Sequence, residues 1–410
     1  MAHSIAQRKV KKTSRGLASL RPDFAERRIR QVSAWIVLFL AMEGELGLAW
    51  DRSWHDRLGR DQFWIPPHIM MYTAVAGIGL TALVVVLVDT LRYYQMQVGV
   101  DDSSTVGVLR FFHAPFGFVL MGFGALTDLI AAPLDNYWHL LYGIDATLWT
   151  PFHLMGAIGA VILGLGSVYA FASEAAHERQ SGYPSRRFAG LTGPEWGFVI
   201  FIGGFMEFVL PALTAFIPIL LDPVKILTYP LILVLASSVC LVSVYLCIRK
   251  PGITLLAVAV VCLLSVVTET YIPFALRFMA ARLELTFRVG RPPIFNIILA
   301  LLPLAYLFCA LMVEAVAYWQ RRTGNAEQEP LRRVWLVGAL MAIPAVMMPP
   351  AIAYAINVLA PSIPLSFDVV LVLEPSWLNK LISLPLAMLV GATMAFVGTV
   401  FGDIWHWNKQ

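Results

Sequence analysis

Ten apolar blocks, each close to the length of a helix that crosses a bilayer, constrain this chain more than anything else in it. A helix rises about 1.5 Å per residue, so about 20 apolar residues cover a hydrocarbon core roughly 30 Å thick. The blocks fall at 33–50, 67–90, 108–132, 152–173, 195–221, 226–248, 252–273, 294–318, 334–358 and 377–401. They are too long, and too poor in polar/apolar alternation, to be the strands of a barrel. The expected fold is therefore all-α, a polytopic integral membrane bundle of about ten transmembrane helices. Composition agrees: 14% of residues are charged, against about 25% in a soluble domain.

Basic residues set the expected orientation, because they collect on the cytoplasmic side of short loops. Residues 1–32 form a basic tail with Arg8, Lys9, Lys11, Lys12, Arg15, Arg21, Arg27, Arg28 and Arg30, and no apolar stretch of a cleaved signal. With that tail inside, ten spans place both termini in the cytoplasm, together with Arg249–Lys250, Arg321–Arg322 and Arg332–Arg333. One segment breaks the rule. Arg277, Arg282, Arg288 and Arg291 then lie outside, so this stretch either has a use for its arginines or shifts the span count by one. The tail suits anionic lipid headgroups; no motif or aromatic interleaving supports nucleic-acid binding. Cys240, Cys247, Cys262 and Cys309 sit within spans without C-x-x-C spacing, and read as small apolar residues.

The first half contains a duplication. Asp51, Trp54 and His55 recur as Asp135, Trp138 and His139, 84 residues later, and Gly59 and Asp61 recur as Gly143 and Asp145. Trp64, Pro66 and His68 recur as Trp149, Pro151 and His153, now offset by 85. Eight matched identities built from rare residue types are not coincidence; this is an internal repeat. Each copy reads as a span, a polar linker and a second span opened by proline, so the first four helices form a parallel two-helix repeat with both linkers on the outer face. The domains are then a tail at 1–32, a duplicated region at 33–172 and a six-helix region at 194–401.

Asp51 and His55 are four residues apart, one helical turn, and so share a face. His68 follows thirteen residues later, behind Pro66–Pro67, where proline suits a first helical turn. A chain reversal between the two helix ends brings His68 to Asp51 and His55. Two imidazoles and a carboxylate are a ligand set for a divalent transition metal with an open position. Asp135, His139 and His153 repeat it. The alternative is ordinary interfacial polarity, with Trp54, Trp64, Trp138 and Trp149 as an aromatic belt. That accounts for the tryptophans but not for four of eight histidines at equivalent positions. Asp61 and Asp145 are candidate acceptors for a ligand imidazole N–H, or helix caps, and Glu45 and Asp128 lie one or two turns before the ligand carboxylates. His113 reads as structural; His3, His177 and His406 carry no implied role.

The two spacings resemble motifs of a known family. The C subunit of particulate methane monooxygenase and its ammonia monooxygenase relatives carries D-x3-H-x12-H and N-x3-H-x13-H. Asp51, His55 and His68 match the first. Asp135, His139 and His153 match the second in spacing, with Asp135 where that motif has Asn. The resemblance covers about residues 33–172. It implies copper at one or both triads, with zinc or iron as alternatives, on the outer side of a bacterial inner (plasma) membrane. It also implies an oxidase or monooxygenase acting on an apolar or small substrate, served by further membrane subunits or an external electron donor. A non-catalytic subunit of a larger complex and a metal transporter or copper-handling protein are the competing classes.

Elsewhere, Glu43, Glu207, Glu269 and Glu314 lie in or near spans, where a carboxylate is costly unless it faces the bundle interior. They read equally as relay groups or as hydrogen-bonded packing residues. Pro211, Pro218, Pro223, Pro230, Pro273 and Pro303 suggest kinked or broken helices.

Overall fold

The computed structural model describes residues 24–59, 62–96, 103–143, 150–181, 186–214, 219–221, 224–288, 292–323, 333–359 and 376–406. The chain is a polytopic, all-α membrane bundle. Nine helices among the described residues are long and apolar enough to cross a bilayer, and a further 22-residue helix, Gly193–Thr214, occupies the remaining predicted span. In chain order the helices are α1 (Phe24–Arg57), α2 (Pro66–Tyr94), α3 (Phe116–Tyr142), α4 (Pro151–Ser181), α5 (Gly193–Thr214) and α6 (Thr228–Ile248). They continue as α7 (Ile253–Arg282), α8 (Ile297–Leu301), α9 (Ala305–Arg322), α10 (Val334–Leu359) and α11 (Trp377–His406).

Three predicted spans end differently from expectation. The third begins eight residues late, because Thr105–Val108 and Phe112–Pro115 pair as an antiparallel hairpin. Leu109 and Arg110 take positive φ at its turn, and Pro115, with no N–H to give, precedes the first helical residue. The fifth ends at Thr214, and Ile219–Leu221 pairs with Val224–Ile226 instead. The eighth is broken: α8 passes through a short 3-10 turn at Leu302–Leu304, at Pro303, before α9. Pro273 lies within α7, Pro211 within α5 and Pro230 in the first turn of α6. Pro218, Pro223, Arg291, Arg332, His3 and the basic residues before 24 lie outside the described residues.

The chain divides into two compact units, and the division does not follow the repeat. One consists of Met1–Ala41 with Thr73–His177, the other of Met42–Tyr72 with Glu178–Gln410. In the first unit, α3 and α4 meet along a glycine seam. An ideal Cβ on Gly124 would stand 2.5 Å from the Leu163 nitrogen and 2.6 Å from the Gly159 oxygen. Gly117 and Gly166 approach in the same way, so the two backbones touch with no side chain between them. Arg30, 2% exposed, places two guanidinium nitrogens 2.9 Å from Asp89 Oδ2, and Asp89 is 3% exposed.

In the second unit α6 is the central helix, buried along most of its length against α5, α10 and α11. Small residues make that packing possible: Gly398 of α11 lies against the Ser238 and Val239 carbonyls, and Gly338 of α10 against Gly391. Serines on α6 satisfy themselves on carbonyls, Ser237 on Leu233 and Ser243 on Gly398. Glu314 has a structural job. Its carboxylate accepts from the backbone N–H groups of Gly252 and Thr254 and from the Thr254 hydroxyl, capping the start of α7. The four cysteines are free thiols; three are buried and Cys262 is partly so.

Candidate metal centres

Each copy of the repeat folds as a helix, a short linker and a second helix begun by proline. α1 spans 34 residues, about 50 Å of rise, and Asp51 and His55 lie in its last two turns. Gly59 then ends it: the Leu58 and Gly59 N–H groups both donate to the Trp54 carbonyl, and Gly59 takes φ +68°. In the second copy the Gly143 N–H donates to the His139 carbonyl at φ +87°. The repeated glycine thus takes a positive φ, which favours glycine, at the end of each helix, four positions after the first histidine. The second helices start at Pro66 and Pro151; Thr150 caps α4 by accepting from the His153 N–H at 3.3 Å.

The structure brings both predicted triads together. In the first, the Nε2 atoms of His55 and His68 lie 3.4 Å and 3.1 Å from Asp51 Oδ1. In the second, His139 Nε2 is 3.2 Å from Asp135 Oδ2, and His153 Nε2 is 3.3 Å from Asp135 Oδ1. Within each triad one ligand atom per residue lies within 4.8 Å of the others. Ligands about 2 Å from a shared ion stand at such separations, so either group can hold a metal ion. The rings are alike in attitude, with centroids 6.1 Å and 5.8 Å apart at 50° and 58°. Every side chain of the six is part-exposed, from 15% to 32%. An ion held there is therefore not walled in by its three ligands.

In the second triad the other ring nitrogen has a job as well. His139 Nδ1 lies 3.2 Å from the Gly143 carbonyl, an acceptor for an N–H on that nitrogen, while Nε2 is the ring nitrogen turned to Asp135. The capping glycine thus also meets the His139 ring.

The surroundings of the two triads differ. Behind the first, Trp50, Trp54, Leu58 and Ile65 form one core cluster with Ile272, Ala275, Leu276 and Ala280 of α7. Trp54, 1% exposed, is a core residue and not part of an interfacial belt, whereas Trp64 is 70% exposed and suits one. Tyr72 lies one turn beyond His68, its ring centroid 5.7 Å away, and stacks edge-on with Trp64 and tilted on Phe63. Beside the second triad Trp138 packs on Tyr142 and Phe152.

Asp61, Asp145 and Trp149 lie outside the described residues. Glu45 and Asp128 face other groups. Glu45 Oε2 stands against Gly204 of α5, close to Glu207, whose carboxylate accepts from Thr268. Asp128 lies over Gly159, continuing the glycine seam toward the second triad. His113 stacks on Tyr93 and meets the Thr105 hydroxyl at 2.8 Å. Sequence reasoning missed one contact. Arg288 bonds to the first linker, and its only signal in the sequence is the set of arginines that the expected orientation places outside.

Fold and site together define a helical, multi-pass membrane protein with two part-exposed Asp-His-His groups. Set against known proteins, the chain matches no family model, no curated protein and no solved structure.

Proposed function

We propose that the two triads are transition-metal sites and that the chain is a copper-dependent membrane oxidase or monooxygenase. The observation that carries the metal reading is the closure of the same D-x3-H…H set twice, with ligand atoms within 4.8 Å each time. Asp51, His55 and His68 would hold one ion, and Asp135, His139 and His153 the other. Imidazole nitrogens suit copper, zinc and iron alike; the resemblance to the monooxygenase C subunit favours copper. Bound copper supplies dioxygen chemistry, with electrons from an external donor. The protein's own contribution is an open coordination side, aromatic surroundings at Phe63, Trp64 and Tyr72, and access for an apolar substrate from the lipid.

On this reading the triads face the outer side of a bacterial inner membrane, with both termini in the cytoplasm. The chain works with lipid around it and with further membrane subunits or a soluble donor as partners. Dioxygen consumption tests the proposal. Purified, copper-loaded protein in lipid nanodiscs, given a chemical reductant and a short-chain alkane or other small apolar substrate, is expected to take up dioxygen in proportion to product. The uptake disappears in H55A or H139A, whichever triad is catalytic. Copper bound in full with no substrate-dependent uptake would remove the enzyme reading and leave a non-catalytic metal-binding subunit.

A further inference from the structure

Between the end of α1 and the start of α2 the chain must turn so that His68 comes back to Asp51 and His55. Nothing in the linker's composition forces that turn, since Gly59 is freer in conformation than any other residue. Beside the burial of Leu58 and Ile65, a restraint comes from 229 residues further along the chain. α7 continues to Arg282, nine residues past its predicted span, and ends with Glu284 in the left-handed region. The Leu285 N–H donates to the Ala280 carbonyl at 2.8 Å, and Leu285 and Phe287 pack on the cluster around Trp54. This delivers Arg288 to the linker. Its backbone N–H donates to the Arg57 carbonyl at 2.8 Å, and its guanidinium donates to the Gly59 carbonyl at 2.7 Å. The guanidinium also fills the space where a Cβ on residue 59 would stand.

Both acceptors are carbonyls at the C-terminal end of α1, which lack helical partners and carry the negative end of the helix dipole. A cation satisfies both needs. Gly59 is where the chain leaves α1, four positions after His55 and nine before His68.

We infer that Arg288 is a positioning residue for the first triad: it locks the turn after α1, so that His68 is held ready opposite Asp51 and His55 before an ion arrives. The inference rests on the metal reading above and adds that the second half of the chain pre-organises one of the two sites. It also gives the arginine-bearing segment after α7 its use.

Full-length protein in detergent, titrated with cupric ion alone against a competing chelator and read by EPR, tests this in two backgrounds. H139A leaves only the first triad, and H55A leaves only the second. R288A is expected to weaken copper binding about ten- to hundredfold in the H139A background, the range for groups that orient ligands, and to leave binding in the H55A background unchanged. R288K, which keeps one donor for the Gly59 carbonyl, is expected to recover most of the loss. G59A, whose Cβ collides with the guanidinium, is expected to reproduce it. Unchanged binding at the first triad in R288A overturns the inference while leaving the metal sites standing. Equal loss at both triads overturns it too, since that is general destabilisation and not positioning. Failure of the parent single variants and wild type to bind copper at all overturns the metal reading on which it rests.

Discussion

The triad carboxylates and Asp89 differ in what stands opposite them. Asp51 and Asp135 each stand between two imidazoles, with His Nε2 atoms 3.1–3.4 Å from their carboxylate oxygens. Asp89 is instead matched to the guanidinium of Arg30, with both side chains nearly inaccessible. Breaking such a pair strands a charge. D89A is therefore expected to destabilise the protein by about 3–5 kcal/mol, while the apolar double replacement R30M/D89L recovers most of that loss. Denaturant melts of the three proteins in one detergent check this; equal stability of D89A and wild type would mean the pair contributes nothing. The contrast was legible only in part. Repeated spacing marks the triad carboxylates in the sequence, but Arg30 reads there as part of the tail's topology signal, because its partner is 59 residues away.

Among the elements, the long helices follow from the apolar blocks, since a 20-residue run without charges has few other solutions in a bilayer. What the blocks do not carry is their ends. Thr105–Pro115 is as apolar as a span start, and only Gly107, the tight turn and Pro115 separate a hairpin from a helix. The repeated Gly59 and Gly143 were visible as identities, yet their role as helix stops is a backbone property that appears only with φ. The glycine seam between α3 and α4 was hidden in the same way. The second triad spans the two helices that this seam joins, with Asp135 and His139 on α3 and His153 on α4. G124V would push backbone against backbone at Leu163 and Gly159. It is expected to abolish copper binding at the second triad in the H55A background and to spare the first in the H139A background. Retention of the second site in G124V would show that the linker, not the seam, sets its geometry.

At the scale of the whole molecule, the repeat and the compact units cut the chain differently. By sequence the copies are equals, and 33–172 reads as one region. In the folded chain the first copy's linker, with Asp51, His55 and His68, belongs with residues 178–410, through Trp50 and Trp54 against α7 and through Arg288 on Gly59. No local pattern predicts that, because each contact joins segments about 200 residues apart. The duplicated ligands are legible from sequence, then, and their unequal support is not. The claim on which everything functional depends is that both triads hold metal. The metal content of protein purified from cells grown with copper, measured beside H55A, H139A and the double variant, tests it most directly. The account predicts two ions per chain in wild type, one for each triad, with one ion in either single variant and none in the double. A metal content unchanged by both substitutions, or absent throughout, would contradict it.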